Sequence, residues 1–237
     1  MRSIDDNLQA VRQRISRAAA AAGRDQGGVT LLAVSKTHSA DLIRQALAAG
    51  QKAFGENYVQ EALEKMDALD GKSVEWHLIG PLQSNKTRMV AERFDWVHTV
   101  EAEKIARRLS GQRPAGRAPL NVLIQVNVSG ETSKSGVAPQ AAAALAQAVA
   151  VLPNLRLRGL MAVPEPTTDS NLQRFRFSEV RKAFQEIKAQ GIAVDTLSMG
   201  MSDDMEVAIA EGATMVRIGT AIFGVRRKIG AAARMSR

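Results

Sequence analysis

Apolar residues recur along this chain in two rhythms. The opening segment is helical. Ser3 can cap a helix start, Asp5 and Asp6 fall in the first turn, and Ile4, Leu8, Val11 and Ile15 share one face until Gly23 offers a stop. After it, short apolar runs alternate with amphipathic ones. "VTLLAVS" (29–35) leads to a helix over about 40–49, and "KAFGEN" (52–57) to one beginning near Val59. "VEWHLIG" (74–80) precedes "SNKTRMVAERF", and "DWVHTV" (95–100) precedes "EAEKIARRL". "LNVLIQVNV" (120–128) is followed, after a polar loop, by a helix at 139–150. "LRLRGLM" (155–161) precedes a long helix with Phe177, Val180, Phe184 and Ile187 on one side. "VDTLSM" (194–199) precedes "DDMEVAIAEG", and "TMVRIG" (214–219) closes the series before a short final helix or tail. Eight strand–helix units in sequence, with no linker-like stretch between them, predict an α/β fold: one (β/α)8 TIM barrel over residues 1–237 with an extra N-terminal helix.

Composition narrows the chemistry. The 237 residues are 45% hydrophobic and 24% charged and include no cysteine, which removes disulfides, thiolate nucleophiles and cysteine-ligated metals. The three histidines, His38, His77 and His98, have no metal-pair spacing, so no metal is expected. The N-terminus carries early acids and no apolar core, unlike a secretory signal, and the longest apolar stretch, 141–152, is too short to span a bilayer. A cytoplasmic protein is expected. A net charge of +8 favours anionic partners, but the excess is spread out except in the basic tail "GVRRKIGAAARMSR". With aromatics at 4%, there is no stacking platform for nucleic acid, and that role would rest on charge alone.

A barrel of this type carries its chemistry at the carboxyl ends of its strands. Lys36 stands at the first such exit. It reads either as a lysine snorkelling to water or as an amine whose charge apolar walls disfavour, able to attack a carbonyl. "SMGMSDD" and "RIGTAIFG", after strands seven and eight, each set Gly beside Ser or Thr, and adjacent corners of this kind hold phosphate in barrels. Asp203 and Asp204 read as helix caps. Arg217, inside the last strand, reads either as a salt bridge across the strand tops or as a guanidinium facing a ligand ring, whose nitrogen it would keep unprotonated. An amine, a phosphate cradle and an arginine between them are the attachment points of pyridoxal 5′-phosphate.

At these residues the sequence resembles the pyridoxal-phosphate homeostasis protein family, also called YggS or PROSC, and more distantly the barrel domain of alanine racemase. "AVSKTHS", "FGENYVQE", "WHLIGPLQSNK", "QVNVSGETSKSG", "LRGLMAV", "LSMGMSDDMEVAI" and "VRIGTAIFG" carry the resemblance in order, from the opening helix to Gly224. It implies that Lys36 forms the Schiff base and that Ser198, Gly200, Ser202, Gly219 and Thr220 contact the phosphate. It also implies that Arg217 faces the pyridine nitrogen and Asn57 lies beside the ring, with Tyr58 and His77 lining the mouth. Members of the family are commonly monomeric and hold the cofactor and regulate its pool and amino-acid metabolism without an assigned robust catalysis; the resemblance thus implies a monomer, with apo-enzymes that use the cofactor as its expected recipients. The rival is a weak amino-acid racemase. It needs proton-transfer groups on both faces of the substrate α-carbon, and alanine racemase takes one from a second domain for which this chain has no residues left. Its single tyrosine is Tyr58. Lys134, in the loop after strand five, reads as a second amine for loading or release, or as a solvated loop lysine.

Overall fold

The computed structural model describes residues 3–130 and 135–224. The opening helix α1 (Ile4–Ala21) is followed by β1 (Thr30–Val34), α2 (Ala40–Ala48), β2 (Ala53–Glu56), α3 (Val59–Ala68), β3 (Glu75–Leu78), α4 (Thr87–Arg93) and β4 (Trp96–Val100). Then come α5 (Glu103–Gln112), β5 (Leu120–Val126), α6 (Ala142–Ala150), β6 (Leu155–Ala162), α7 (Ser170–Ala189), β7 (Thr196–Ser198), α8 (Met205–Ala210), β8 (Met215–Ile218) and α9 (Thr220–Phe223). All eight strands are parallel and close into one barrel in chain order, β8 pairing back onto β1 with Leu32 opposite Arg217. The fold is the expected TIM barrel with an added N-terminal helix.

Local chemistry explains the entry. Ser3 Oγ accepts from the Asp6 amide at 3.0 Å while the Asp6 carboxylate accepts from the Ser3 amide at 3.1 Å, a reciprocal cap that stabilises the helix start by about 1 kcal/mol. Ile4, Leu8, Val11 and Ile15 are buried on the predicted face, together with Ala19. That face seals the seam between the last and first units: α1 rests on α2, α8 and α9. Asn7 donates to the Ile222 carbonyl at 2.9 Å, and Arg24 to those of Ile209 and Ala213 at 2.7 and 2.8 Å. Among the described residues, no helix is long and apolar enough to cross a membrane.

The main core lies between strands and helices, where Phe54, Leu78, Leu120, Leu160 and Phe177 are enclosed and each contributes about 1.5–3 kcal/mol by leaving water. Inside the barrel the apolar filling is split. Leu32, Ala53 and Met215 form one cluster on the β8–β1–β2 side, and Trp96, Leu123 and Met161 form another on the β4–β6 side. A row of polar side chains runs from β3 and β4 to β7 and β8.

Candidate functional site

A cavity of about 660 Å³ opens at the carboxyl ends of the strands. Lys36, Asn57, Ser202, Arg217, Gly219 and Thr220 all line it, joined by Val34, Ile79, Val163, Met201, Asp203 and Ala221, and by Arg14 from α1. Six of the residues expected from the sequence therefore share one wall system, of a size suited to a small cofactor. Gly80 makes the β3 side of it possible: a Cβ there would lie 2.1 Å from the Asn57 carbonyl oxygen.

Lys36 is set by its neighbours' backbone. Lys65 of α3 is buried, and its ammonium donates to the Ser35 carbonyl at 2.8 Å and to the carboxylates of Glu56 and Glu61, each at 2.7 Å. Ser35 Oγ donates to Glu56 at 2.6 Å, and the Thr37 amide donates to Glu61 at 2.5 Å. Thr37 sits at φ 65°, a left-handed conformation that a β-branched residue adopts only when its surroundings enforce it. The residues on either side of Lys36 are thus clamped by one ionic cluster. Burial pushes the Glu56 carboxyl up, and Lys65 opposes the shift.

Arg217 is held by its own side chain. Nη1 donates to the Ser198 carbonyl at 2.6 Å and to Ser198 Oγ at 2.8 Å, and Nη2 donates to the Ala162 carbonyl at 2.8 Å. These acceptors are neutral strand-end groups, not the carboxylate partner that a salt bridge across the strand tops would need. Burial lowers its pKa to about 10, so it remains a cation near neutrality. Beyond Ser198 the polar row continues: Ser198 Oγ is 3.1 Å from His98 Nδ1, His98 Nε2 is 2.9 Å from His77 Nδ1, and His77 Nε2 is 2.8 Å from Glu75. Burial holds both imidazoles below their usual pKa, His98 well below.

The remaining expected residues lie elsewhere. His77 does not line the mouth: although β3 ends only one residue later, its side chain is fully enclosed and stacked 5.1 Å from Trp96. Ser198 is the last residue of β7, buried, with its hydroxyl committed to Arg217 and His98 rather than to the cavity. Gly200 stands behind the wall at φ 95°, where a Cβ would come within 2.6 Å of Ala208 Cβ; it serves the packing of α8 on β7. Tyr58 is 60% exposed before α3 and outside the cavity lining. Asp204 takes the position before α8 without capping it; its carboxylate turns back to the Met201 amide at 2.6 Å. Lys134 and the basic tail after Gly224 lie outside the described residues.

Arg14 is the residue that the sequence did not offer. It donates to the Ser202 carbonyl at 2.7 Å, pairs with Glu206, and so fixes the loop after β7 from the side of α1. Its place next to Ile15, at the edge of the buried face, was the one available signal.

The family described as alanine racemase, N-terminal domain, matches residues 7–227. A Pseudomonas aeruginosa protein named pyridoxal phosphate homeostasis protein is 59% identical over 226 residues, covering 95% of this chain and 97% of its own. One of the same name from Escherichia coli K12 is 55% identical over 229 residues, covering 95% and 98%. The solved structure of PipY from Synechococcus elongatus with PLP bound superposes with a TM-score of 0.81 at 36% identity, covering 94% of this chain and all of PipY. Alanine racemase from Corynebacterium glutamicum shares the fold, with a TM-score of 0.65 at 18% identity over 92% of this chain and 61% of the racemase.

Proposed function

This chain belongs to the alanine racemase N-terminal domain family, and from that premise we propose that it binds pyridoxal 5′-phosphate and takes part in the homeostasis of that cofactor and in amino-acid balance. The relatives named for this role match it nearly end to end, and PipY, which this chain matches over its whole length, is solved with PLP bound. The observation that carries the reading is that Lys36, Arg217, Ser202 and Thr220 all line one cavity.

When bound, the cofactor supplies an aldehyde that a primary amine captures reversibly. In this reading Lys36 supplies the amine, and the Ser35–Thr37 clamp keeps it aimed at the cavity. Ser202 and Thr220, with the backbone at Gly219, receive the phosphate, and Asn57 lies beside the ring. Arg217 can donate but not accept, so it leaves a facing ring nitrogen unprotonated and a poor electron sink. Tyr58, outside the lining, is not placed to serve the second face of a substrate carbon, as a racemase requires. The proposal is therefore a carrier rather than a catalyst: one barrel domain, monomeric and cytoplasmic, that hands the cofactor to apo-enzymes.

Absorption spectroscopy tests it. Adding pyridoxal 5′-phosphate should produce a visible band that borohydride abolishes, leaving the reduced adduct on the Lys36 peptide by mass analysis. Lys36→Ala should give no band. An adduct on another lysine, or α-proton exchange of an amino acid with deuterated solvent, would reject the carrier reading.

A further inference from the structure

The polar row through the barrel does more than satisfy buried groups, and its proton accounting shows why. A guanidinium cannot accept a hydrogen bond, so Ser198 Oγ must be the acceptor in its 2.8 Å contact with Arg217. The one hydrogen on that oxygen is then available to His98 Nδ1, 3.1 Å away. His98 must therefore carry its own proton on Nε2, which it gives to His77 Nδ1 at 2.9 Å. His77 in turn carries its proton on Nε2 and gives it to Glu75 at 2.8 Å. Every side-chain polar atom of Ser198, His98 and His77 is used, both imidazoles are neutral, and all the bonds run one way, from a cation to a carboxylate.

Reversal has a definite cost. It needs one extra proton at the Glu75–His77 end, and it gives Ser198 Oγ two donors while its own hydrogen loses its acceptor. His77, His98 and Ser198 are fully enclosed, where an unpaired polar group is costly. The direction is thus fixed by the two ends, and only Glu75 is substantially exposed.

We infer that Glu75, His77, His98 and Ser198 form a polarised hydrogen-bond line that orients Arg217, which makes them positioning residues for the cavity although none of them lines it. The direction of the line stands on the apo-protein alone; its effect on a bound cofactor rests on the function proposed above.

The full-length chain without cofactor, labelled with ¹⁵N at histidine and arginine, gives the test, and with three histidines in the sequence the imidazole signals are readily assigned. At pH 7, His77 and His98 should both be neutral and protonated at Nε2, and Arg217 should show separate, slowly exchanging Nη–H signals. Glu75→Leu, at a half-exposed floor position that should fold, removes the terminal acceptor; the Nη1–H signals should shift and broaden, while the Nη2–H held by the Ala162 carbonyl stays. Glu75→Gln keeps an acceptor oxygen and should restore them. With pyridoxal 5′-phosphate added, Glu75→Leu should shift the visible band and Glu75→Gln should not. An Nδ1-protonated His98, or Arg217 signals unchanged in Glu75→Leu, overturns the inference. A wild-type chain with no visible band counts against the cofactor reading, while the apo-protein signals still decide the line.

Discussion

At the exit of β1, the support for the cavity is ionic and acts through the backbone: Lys65, Glu56 and Glu61 never need to touch Lys36, because they grip Ser35 and Thr37 on either side of it. At the exits of β6 and β7 the support is neutral and acts on the side chain itself, with two carbonyls and a hydroxyl holding the Arg217 guanidinium. The difference matches what the proposed function asks of each cation. In the proposed function Lys36 must give up its proton to attack a carbonyl, whereas Glu56 and Glu61 hold Lys65, Ser35 and Thr37. A guanidinium keeps its charge beside any neighbour, so neutral acceptors are enough to fix it.

Removing the centre of each support should expose the contrast most strongly. Lys65→Met leaves Glu56 buried beside Glu61 without its cation and should cost about 3–5 kcal/mol in denaturant unfolding. Arg217→Met leaves only neutral acceptors and should cost less, about 1–3 kcal/mol. Equal losses would erase the distinction.

Acid separates the two sides by sign. His77 and His98 are held neutral by burial, so below about pH 6.5 the unfolded chain takes up protons that the folded chain refuses. Stability then falls as the pH drops, with a slope approaching about 1.4 kcal/mol per pH unit for each ring. Glu56 runs the other way: burial raises its pKa, so the folded chain takes that proton first and this site loses stability as the pH rises through its titration. His98→Gln should flatten the acid limb of a stability–pH curve; a limb that kept its wild-type slope would show that the rings do not control it.

The smallest effect sharpens the comparison most. Glu61→Gln keeps the side-chain shape and both contacts but weakens the charge-assisted bonds from Thr37 and Lys65, at a cost of about 1 kcal/mol. Capture of pyridoxal 5′-phosphate should nevertheless slow in stopped-flow absorbance, because the loop carrying Lys36 is loosened. Unchanged capture would mean that the clamp serves stability alone.

The alternation of elements was legible because each run needs only its own local pattern, and the strand exits followed from it, bringing Lys36, Asn57, Ser202, Arg217, Gly219 and Thr220 to the cavity. What was lost depends on a one-residue offset or on a partner far away in the chain. "VEWHLIG" places His77 near the exit of β3, and it does stand one residue before the end of pairing at Leu78, but its side chain falls on the enclosed face of the strand. Ser198 and Ser202 are both hydroxyls near the end of β7; only the end of the strand sends one inward to Arg217 and leaves the other on the wall. Lys65 looks like any helix lysine until α3 is laid against the end of β2. Arg14 acquires its role from a carbonyl 188 residues later.

That last separation bears on how the molecule comes into being. A ribosome delivers α1 early and the loop it braces almost at the finish, so the first helix must wait, its apolar stripe uncovered, for most of translation. Lys36 emerges long before the wall proposed to take the phosphate exists, and closing so distant a joint is the kind of step that slows assembly. A nascent barrel would be able to meet the aldehyde before it could retain the phosphate, and tight retention would become a mark of completed synthesis.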